Sequence, residues 1–140
     1  YASYLVDLLR TDGAGVPALS HVTGEWLAAN LARVLPAGLH ARIDRASWTP
    51  SPIFQLVQQL GGVPQLDLER TLNMGVGFVA VVPAAAVDAV SGHLRSRGID
   101  TWVMGEVYPT ASAPLDPRAQ VVQGAKGVEG GSVQLLGDYR

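Results

Sequence analysis

The segment HVTGEWLAANLARVLP, residues 21–36, carries the most information about the fold. A short apolar run leads into His21, the dipeptide Thr23-Gly24 follows, and apolar residues then recur at helical spacing over 27–35. This order predicts a strand, a tight turn and an amphipathic helix that ends at Pro36. The start of such a helix leaves backbone N–H groups unpaired and carries a partial positive charge, so it can hold an anion.

Two interpretations of this turn remain open. The hydroxyl group of Thr23 can cap the predicted helix, in which case the turn is only structural. Alternatively the turn binds a phosphate group, because Gly24 lets a ligand approach the backbone closely. Glu25 argues against the phosphate, since its carboxylate competes for the same N–H groups and repels an anion.

The bulk composition limits the class of protein. The chain has 140 residues, the length of one domain, with 48% hydrophobic and 16% charged residues and a net charge of −2. The absence of cysteine excludes disulfides, thiol nucleophiles and thiolate zinc sites. The chain has no excess of basic residues, no apolar run near the ~20 residues of a membrane span, and no signal-peptide pattern over 1–10. We therefore expect a cytoplasmic protein that binds neither nucleic acid nor membrane.

The hydrophobic periodicity predicts alternating helices and strands, as in an α/β or α+β protein. Helices are predicted over 1–10, from near residue 25 to 35, and over 52–60, 66–73 and 83–98; strands are predicted over 17–22, 39–44, 74–82, 99–107 and 132–137. The apolar strand 74–82 is predicted to be central and buried on both faces. Residues 109–131, rich in glycine, proline, alanine and serine, are predicted to form a long loop before an edge strand over 132–137.

The same patterns predict which side chains are buried. Four apolar residues at helical spacing are expected to form the buried stripe of helix 52–60: Ile53, Leu56, Val57 and Leu60. His40 and His93 are expected on solvated faces, and because no two histidines have metal-ligand spacing, no metal site is predicted. Most of the scattered acidic residues, a group that includes Glu69, are interpreted as surface charges.

A second candidate site is the segment Asn73-Met74-Gly75-Val76-Gly77, which precedes the predicted central strand. Glycine weakens a strand interior, so Gly75 and Gly77 indicate a close approach of another group to the backbone. That group is either a ligand or a closely packed helix, and the pattern leaves both open. The segment is not a dinucleotide fingerprint, because it lacks the third glycine and precedes the strand.

Four segments together resemble motifs of one enzyme family. Segment 21–36 resembles the motif H-[IV]-T-G-G-G-L-x-x-N-x-x-R-x-[LI]-P of the aminoimidazole ribonucleotide synthetases, also called phosphoribosylformylglycinamidine cyclo-ligases. Three further segments resemble motifs of the same family in the same order and spacing: IDRASWTPSPIF (43–54), LERTLNMGVGFVAVVP (68–83) and RGIDTWVMGEV (97–107). The resemblance extends over residues 1 to about 107.

The resemblance implies a fold, an activity and partners. The implied fold is a three-layer α/β/α arrangement around a mixed sheet, partly like a ferredoxin fold. The chain would be a single domain, 1–140, equivalent to the C-terminal half of an ATP-dependent cyclo-ligase, with the N-terminal ATP-binding half absent. Family members close the imidazole ring of formylglycinamidine ribonucleotide with ATP and Mg²⁺, both bound mainly by the N-terminal half. The implied partners are a phosphorylated purine precursor, the N-terminal domain and, at full length, a second copy in a homodimer.

The resemblance also implies site residues. By position, the phosphate or substrate site comprises His21, Thr23, Gly24, Asn30 and Arg33, with Asn73 and Gly75 lining the neighbouring wall; no catalytic residue or metal ligand is assigned. This sequence departs from the family at Glu25 and Trp26, where the motif has glycines. Replacing both residues by glycine is expected to tighten phosphate binding, as a calorimetric titration would measure.

Two alternatives belong beside the cyclo-ligase. One is another member of the same ATP-binding superfamily: selenophosphate synthetase, thiamine-monophosphate kinase, the hydrogenase-maturation dehydratase or the amidotransferase one step upstream. The RTLNMGVG segment, 70–77, favours the cyclo-ligase among them. The other is a non-catalytic domain that binds a phosphorylated metabolite or a partner protein, as suggested by Glu25-Trp26. If the chain is the C-terminal domain of a cyclo-ligase or of another member of the superfamily, the isolated domain is expected to expose an apolar patch where the N-terminal half would pack.

Overall fold

The computed structural model describes residues 16–24, 26–125 and 129–140. Six strands lie in these ranges: β1 (Ala18–His21), β2 (Leu39–Asp44), β3 (Phe78–Val81), β4 (Gly105–Pro109), β5 (Val121–Ala125) and β6 (Glu129–Leu136). The same ranges hold four α-helices: α1 (Leu27–Val34), α2 (Pro52–Gly61), α3 (Gln65–Thr71) and α4 (Val87–Arg95). The helix predicted over 1–10 lies outside the described residues. None of the described helices is long and apolar enough to cross a membrane.

The chain divides into two compact units. The described part of the first unit comprises 16–19 and 80–103. Within it, Val90 and Leu94 of α4 form a small core against four partly buried neighbours: Val16, Val82, Ala86 and Ile99. The second unit comprises the remaining described residues, from Ser20 to Val79 and from Met104 to Arg140. The assignment of residues 1–140 to a single domain stays a prediction.

The second unit contains a four-stranded sheet in the order β4-β2-β6-β5. Strand β2 pairs antiparallel with β4 and parallel with β6, while β5 pairs antiparallel with β6. The sheet is therefore mixed, and the α/β class with a mixed sheet is confirmed. Strand β2 has the bounds that the alternation of residues 39–44 predicted, because the buried Ala41 and Ile43 share one face.

The prediction of a long loop over 109–131 is wrong, and so is that of an edge strand over 132–137. The region contains β5 and the start of β6, and β6 lies inside the sheet between β2 and β5. The glycines that suggest a loop have a packing role. A β-carbon on Gly124 or Gly130 would come within 2.4 or 2.5 Å of the carbonyl oxygen of Ala32 in α1. Only glycine therefore lets α1 lie this close to β5 and β6.

Strand β3 is shorter and less buried than predicted. Residues 74–77 form a turn rather than a strand, because Met74 and Gly75 have φ angles of 51° and 90°. Strand β3 then pairs with β1 in a two-stranded sheet, and Val79 is its only fully buried residue. The prediction of a central strand over 74–82 is therefore wrong.

The strand predicted over 99–107 begins late, at Gly105. Residues 99–101 are instead tied to the end of α4: the Ile99 N–H donates to Leu94 O at 3.1 Å, and Arg95 Nη2 donates to Thr101 O at 2.8 Å. These bonds cap the helix and occupy backbone groups that a strand ladder would need.

Helix α2 presents its apolar stripe to solvent, which overturns the prediction of a buried stripe. The exposed fractions are 54% for Ile53, 48% for Leu56, 42% for Val57 and 81% for Leu60. No residue of α2 is fully buried. The periodicity identified the helix correctly but could not tell which side faces the domain.

His40 is completely buried, so its placement on a solvated face is also wrong. Strand register sets it opposite Ser132, and its Nδ1 lies 2.7 Å from Ser132 Oγ. Burial, assisted by the nearby positive charge of Arg42, lowers the pKa of His40 below its usual 6.5 and outweighs the Gln134 side chain, which favours the protonated ring. Gln134 is itself buried and donates to the carbonyl oxygens of Asp116 and Ala119 at 2.9 and 3.0 Å, fastening that segment to the sheet.

We predict that Gly124→Ala destabilises the protein while Gly92→Ala stabilises it. The first adds a methyl group against the Ala32 backbone and should lower the free energy of unfolding by about 2 kcal/mol. Gly92 lies in α4 with open space around its missing β-carbon, so alanine should raise the free energy by roughly 0.8 kcal/mol through helix propensity. Urea unfolding of both variants measures the difference, and effects of equal sign would contradict the close-packing account.

A second prediction concerns pH. Because the folded-state pKa of His40 is lowered, the unfolded chain binds a proton more readily, and stability declines as pH falls below about 6.5. The variant His40→Gln should flatten this part of the stability profile. Urea midpoints at pH 7.5, 6.5 and 5.5 test this, and parallel slopes for wild type and His40→Gln would refute it.

Candidate functional site

The two candidate segments, about fifty residues apart in the chain, lie side by side. The Val22 N–H donates to Gly77 O at 2.9 Å, and the His21 ring stacks on Phe78 with centroids 4.5 Å apart. A β-carbon on Gly24 would lie 3.7 Å from the carbonyl oxygen of Thr71, at the end of α3. We call the corner formed by 21–24 and 71–77 the motif corner.

The helix next to the motif corner begins later than predicted. Helix α1 starts at Leu27, its N-cap is Trp26, and no side chain caps it. The interpretation of Thr23 as the helix cap is therefore wrong; Thr23 and Gly24 precede the helix, and both are exposed. The first intrahelical bond runs from the Asn30 N–H to Trp26 O at 3.0 Å, so the N–H groups of 27–29 have no partner within the helix.

The opposite wall of the motif corner is a tight turn. The Asn73 side-chain oxygen accepts a hydrogen bond from the Gly75 N–H at 3.0 Å, and the Val76 N–H donates to Asn73 O at 3.0 Å. Trp48 Nε1 donates to Met74 O at 3.1 Å and anchors the turn from the interior. Gly75 is exposed, and its φ of 90° is the left-handed conformation that glycine adopts most readily.

Two predicted site residues do not lie at the motif corner. Asn30 is 8% exposed, and its Nδ2 donates to Trp26 O at 3.1 Å, so its side chain braces the helix start from within the domain. Arg33 lies in the last turn of α1, six residues beyond Leu27 and roughly 9 Å further along the helix axis. The structure thus brings together His21, Thr23, Gly24, Asn73 and Gly75, and separates Arg33 from them.

Trp26 packs inward rather than across the corner, while Glu25 lies outside the described residues. The indole lines a small cavity whose other walls are Leu27, Trp48, Glu69, Leu72, Met74, Leu135 and Tyr139. The guanidinium carbon of Arg70 lies 5.5 Å from the centroid of the indole, within reach of a cation–π interaction. Trp26 therefore attaches the helix start to α3 and leaves Thr23 and Gly24 open to solvent.

A buried ion pair supports this arrangement. Arg45 Nε and Nη2 donate to Glu69 Oε1 and Oε2 at 2.7 and 2.8 Å, a two-bond contact with both residues buried. Gln65 Nε2 adds a third donor to Glu69 at 3.2 Å, and Arg45 Nη1 donates to Gly137 O at 3.3 Å. The interpretation of Glu69 as a surface charge is therefore wrong, because a partner 24 residues away neutralises it.

Tyr139 completes the cluster. Its ring meets Trp48 edge to face at a centroid distance of 5.1 Å. Burial and the adjacent carboxylate of Glu69 raise the pKa of Tyr139 well above its usual value. Burial also disfavours the charged form of Glu69, but hydrogen bonding and charge from Arg45 outweigh this and lower the pKa of Glu69. Nothing in the local sequence indicates the Arg45–Glu69 pair; only the i, i+4 spacing of Gln65 and Glu69 was visible.

We predict that Glu69→Gln lowers the free energy of unfolding by about 3 kcal/mol, because Arg45 then retains a buried charge without a counter-ion. The matched control is Asp67→Asn on the same helix. Asp67 pairs with Arg70 at 3.5 Å, but both side chains are about half exposed, so the loss should stay below about 0.5 kcal/mol. Guanidinium unfolding compares the two, and similar losses would contradict the assignment of Arg45–Glu69 as the principal ion pair.

Comparison with known proteins gives a consistent family assignment. The family described as AIR synthase related protein, C-terminal domain, matches residues 3–114. A putative phosphoribosylformylglycinamidine cyclo-ligase of Streptomyces fradiae is 45% identical over 137 residues, covering 97% of this chain and 68% of that protein. Phosphoribosylformylglycinamidine cyclo-ligases of Synechococcus sp. (strain CC9605) and Sorangium cellulosum (strain So ce56) are each 42% identical, over 110 and 118 residues.

Two of these matches cover most of this chain but only a minor part of the relative's own length. The Synechococcus and Sorangium matches cover 79% and 84% of this chain but only 31% and 34% of those proteins. The chain thus spans about one third of these two relatives. The family match also ends at residue 114, before β5 and β6. Since it nevertheless covers well over half of the chain, the chain belongs to the AIR synthase related family, as its C-terminal domain.

Proposed function

We propose that this chain is the C-terminal domain of a phosphoribosylformylglycinamidine cyclo-ligase, and that the motif corner receives a phosphate group of the substrate or nucleotide. The single observation that carries the proposal is the contact between segments 21–24 and 71–77. Both segments resemble motifs of the cyclo-ligases, and they meet through the Val22–Gly77 hydrogen bond. The similarity to proteins of that name supports the choice of reaction.

In this proposal the corner binds the phosphate mainly through backbone groups. The N–H groups of 27–29 are unpaired within α1 and share the positive end of the helix dipole. Gly24 permits close approach of the anion, and the exposed Thr23 hydroxyl adds a donor. The turn at Asn73 and Gly75 forms the facing wall, and His21 is held at the edge by stacking on Phe78. Arg33 is too far along α1 to be given a direct role.

The reaction requires ATP and Mg²⁺ in addition to the corner. The described residues contain no group of three or more His, Cys, Asp or Glu side chains that could hold a metal ion. As the resemblance to the cyclo-ligases implies, we place ATP and Mg²⁺ mainly on an N-terminal domain outside this chain. That domain would supply transfer of the terminal phosphoryl group of ATP to the substrate amide oxygen, with release of ADP. A substrate nitrogen would then attack the activated carbon, and the ring would close as the C–O bond breaks and inorganic phosphate leaves. This chain would orient the substrate through its phosphate and stabilise negative charge. The complete protein would be a cytoplasmic homodimer.

A second candidate is a non-catalytic domain that binds a phosphorylated metabolite. The observation that favours it is Trp26, which stands where the cyclo-ligase motif has glycine and packs under Arg70. An indole at this place stiffens the entrance to α1 and removes the freedom that glycine would give the loop. A binding domain tolerates that rigidity more readily than a site that must close around a reacting substrate.

We predict that Thr23→Val and Gly24→Ala in the full-length polypeptide raise KM for formylglycinamidine ribonucleotide by roughly 10-fold each. For Thr23→Val the expected size is that of one lost hydrogen bond to a charged group, about 1.5 kcal/mol. For Gly24→Ala the added methyl group would hold the anion away from the backbone donors. The turnover number should change less, because the phosphate is remote from the reacting amide. The measurement is steady-state formation of aminoimidazole ribonucleotide at saturating ATP and Mg²⁺.

The control is Thr110→Val, which alters an exposed threonine directly after β4 and should leave KM unchanged. Unchanged KM in both corner variants would overturn the assignment of the corner. A wild-type protein that binds the phosphorylated substrate in calorimetry but forms no product would overturn the cyclo-ligase and favour the binding domain.

A further inference from the structure

The exposed face of α2 is the largest feature that the proposed substrate site leaves unexplained. Ile53, Leu56, Val57 and Leu60 lie three or four residues apart and form one continuous stripe, which is between 42% and 81% exposed. On the neighbouring helix α3, Leu66 is 47% exposed. We call these five residues the α2 patch.

The orientation of α2 is set by its other side. Phe54 and Gln58, four residues apart, are the half-buried residues of the helix. The Phe54 ring comes within 3.9 Å of the β-carbon position of Gly75, so the helix is seated on the turn of the motif corner. Helices at a protein surface normally turn their apolar stripe inward. Here a glutamine is turned inward and four aliphatic side chains face outward.

The chemistry of the patch indicates what covers it. Residues 51–64 contain no charged side chain, although charged residues make up 16% of the chain. An apolar and uncharged surface of this kind marks a protein contact, because its exposure to water forfeits roughly 25 cal/mol for each Å² left unburied. The partner surface must itself be apolar and free of unpaired charge, since a charge buried against α2 would find no counter-ion.

We propose that the α2 patch packs against another domain of the same polypeptide. The chain spans only 31% and 34% of two similar cyclo-ligases, so about two thirds of such a protein lies outside it. Five side chains are few beside the roughly 20–30 residues per partner that a stable association of separate molecules uses. A covalent link makes the contact intramolecular, and a smaller interface then suffices. The inference uses the second domain from the proposed function but not the cyclo-ligase activity.

The test is hydrogen exchange in the full-length polypeptide. The double variant Leu56→Glu with Leu60→Glu places two carboxylates in the patch, while the matched control Gln55→Glu with Gln59→Glu places two at the same spacing beside it. All four positions are exposed, and glutamate is a good helix former, so both variants should fold. We expect amide exchange of residues 53–61 to rise at least 10-fold in the first variant and to remain at the wild-type rate in the second.

Three outcomes overturn the proposal. Equal exchange in wild type and the Leu56/Leu60 variant would show that the patch is bare. Equal acceleration in the glutamine control would show that any added charge loosens the helix. If sedimentation gives the Leu56/Leu60 variant half the molecular mass of the wild type, the patch is instead a contact between two copies of the protein.

Parallel activity measurements separate this proposal from the proposed function. If α2 loses its protection from exchange only in the Leu56/Leu60 variant, the domain contact is supported. If the wild-type protein in the same experiment forms no aminoimidazole ribonucleotide, the cyclo-ligase assignment is overturned. An active enzyme whose α2 exchanges at the same rate in wild type and variant would overturn the domain contact alone.

Discussion

The buried pair of Arg45 and Glu69 holds together the parts from which the second unit is built. Arg45 follows β2, Glu69 lies on α3, and Arg45 also reaches the carbonyl oxygen of Gly137 beyond β6. A buried carboxylate is costly unless hydrogen bonds satisfy its oxygens, and both oxygens of Glu69 accept from Arg45 while Oε1 also accepts from Gln65. Helix α3 is consequently fixed relative to the sheet.

The motif corner depends on that fixed helix. The end of α3 supplies the Thr71 carbonyl beside Gly24 and the Arg70 guanidinium over Trp26. The chain then turns through Asn73 and Gly75 and returns alongside Val22. A displacement of α3 would therefore open the corner without changing any residue that lines it. This explains why a site made mostly of backbone groups needs a strong side-chain anchor behind it.

The proposed domain contact agrees with how much of its relatives the chain spans. The chain belongs to the AIR synthase related family, as the C-terminal domain, and it spans about one third of two similar cyclo-ligases. The α2 patch, which no described residue covers, fits the proposed contact with a second domain of the same polypeptide. Helix α2, which carries the patch, contacts the motif corner on its opposite side through Phe54 and Gly75, so a domain packed on the patch would lie near the proposed phosphate site.

The sequence by itself determined the α/β class, the existence of α1 to α4, the bounds of β2 and the family motifs, because periodicity and motif spacing are local properties of the chain. It also paired the two motif segments by resemblance, and the structure brings five of the seven predicted residues together. Only the tertiary structure decided that β6 is internal, that His40 and Glu69 are buried, and that the apolar stripe of α2 faces outward. The first three depend on a partner far away in the chain: β2 beside β6, Ser132 beside His40 and Arg45 beside Glu69. A pattern read within one segment contains no information about which other segment will cover it.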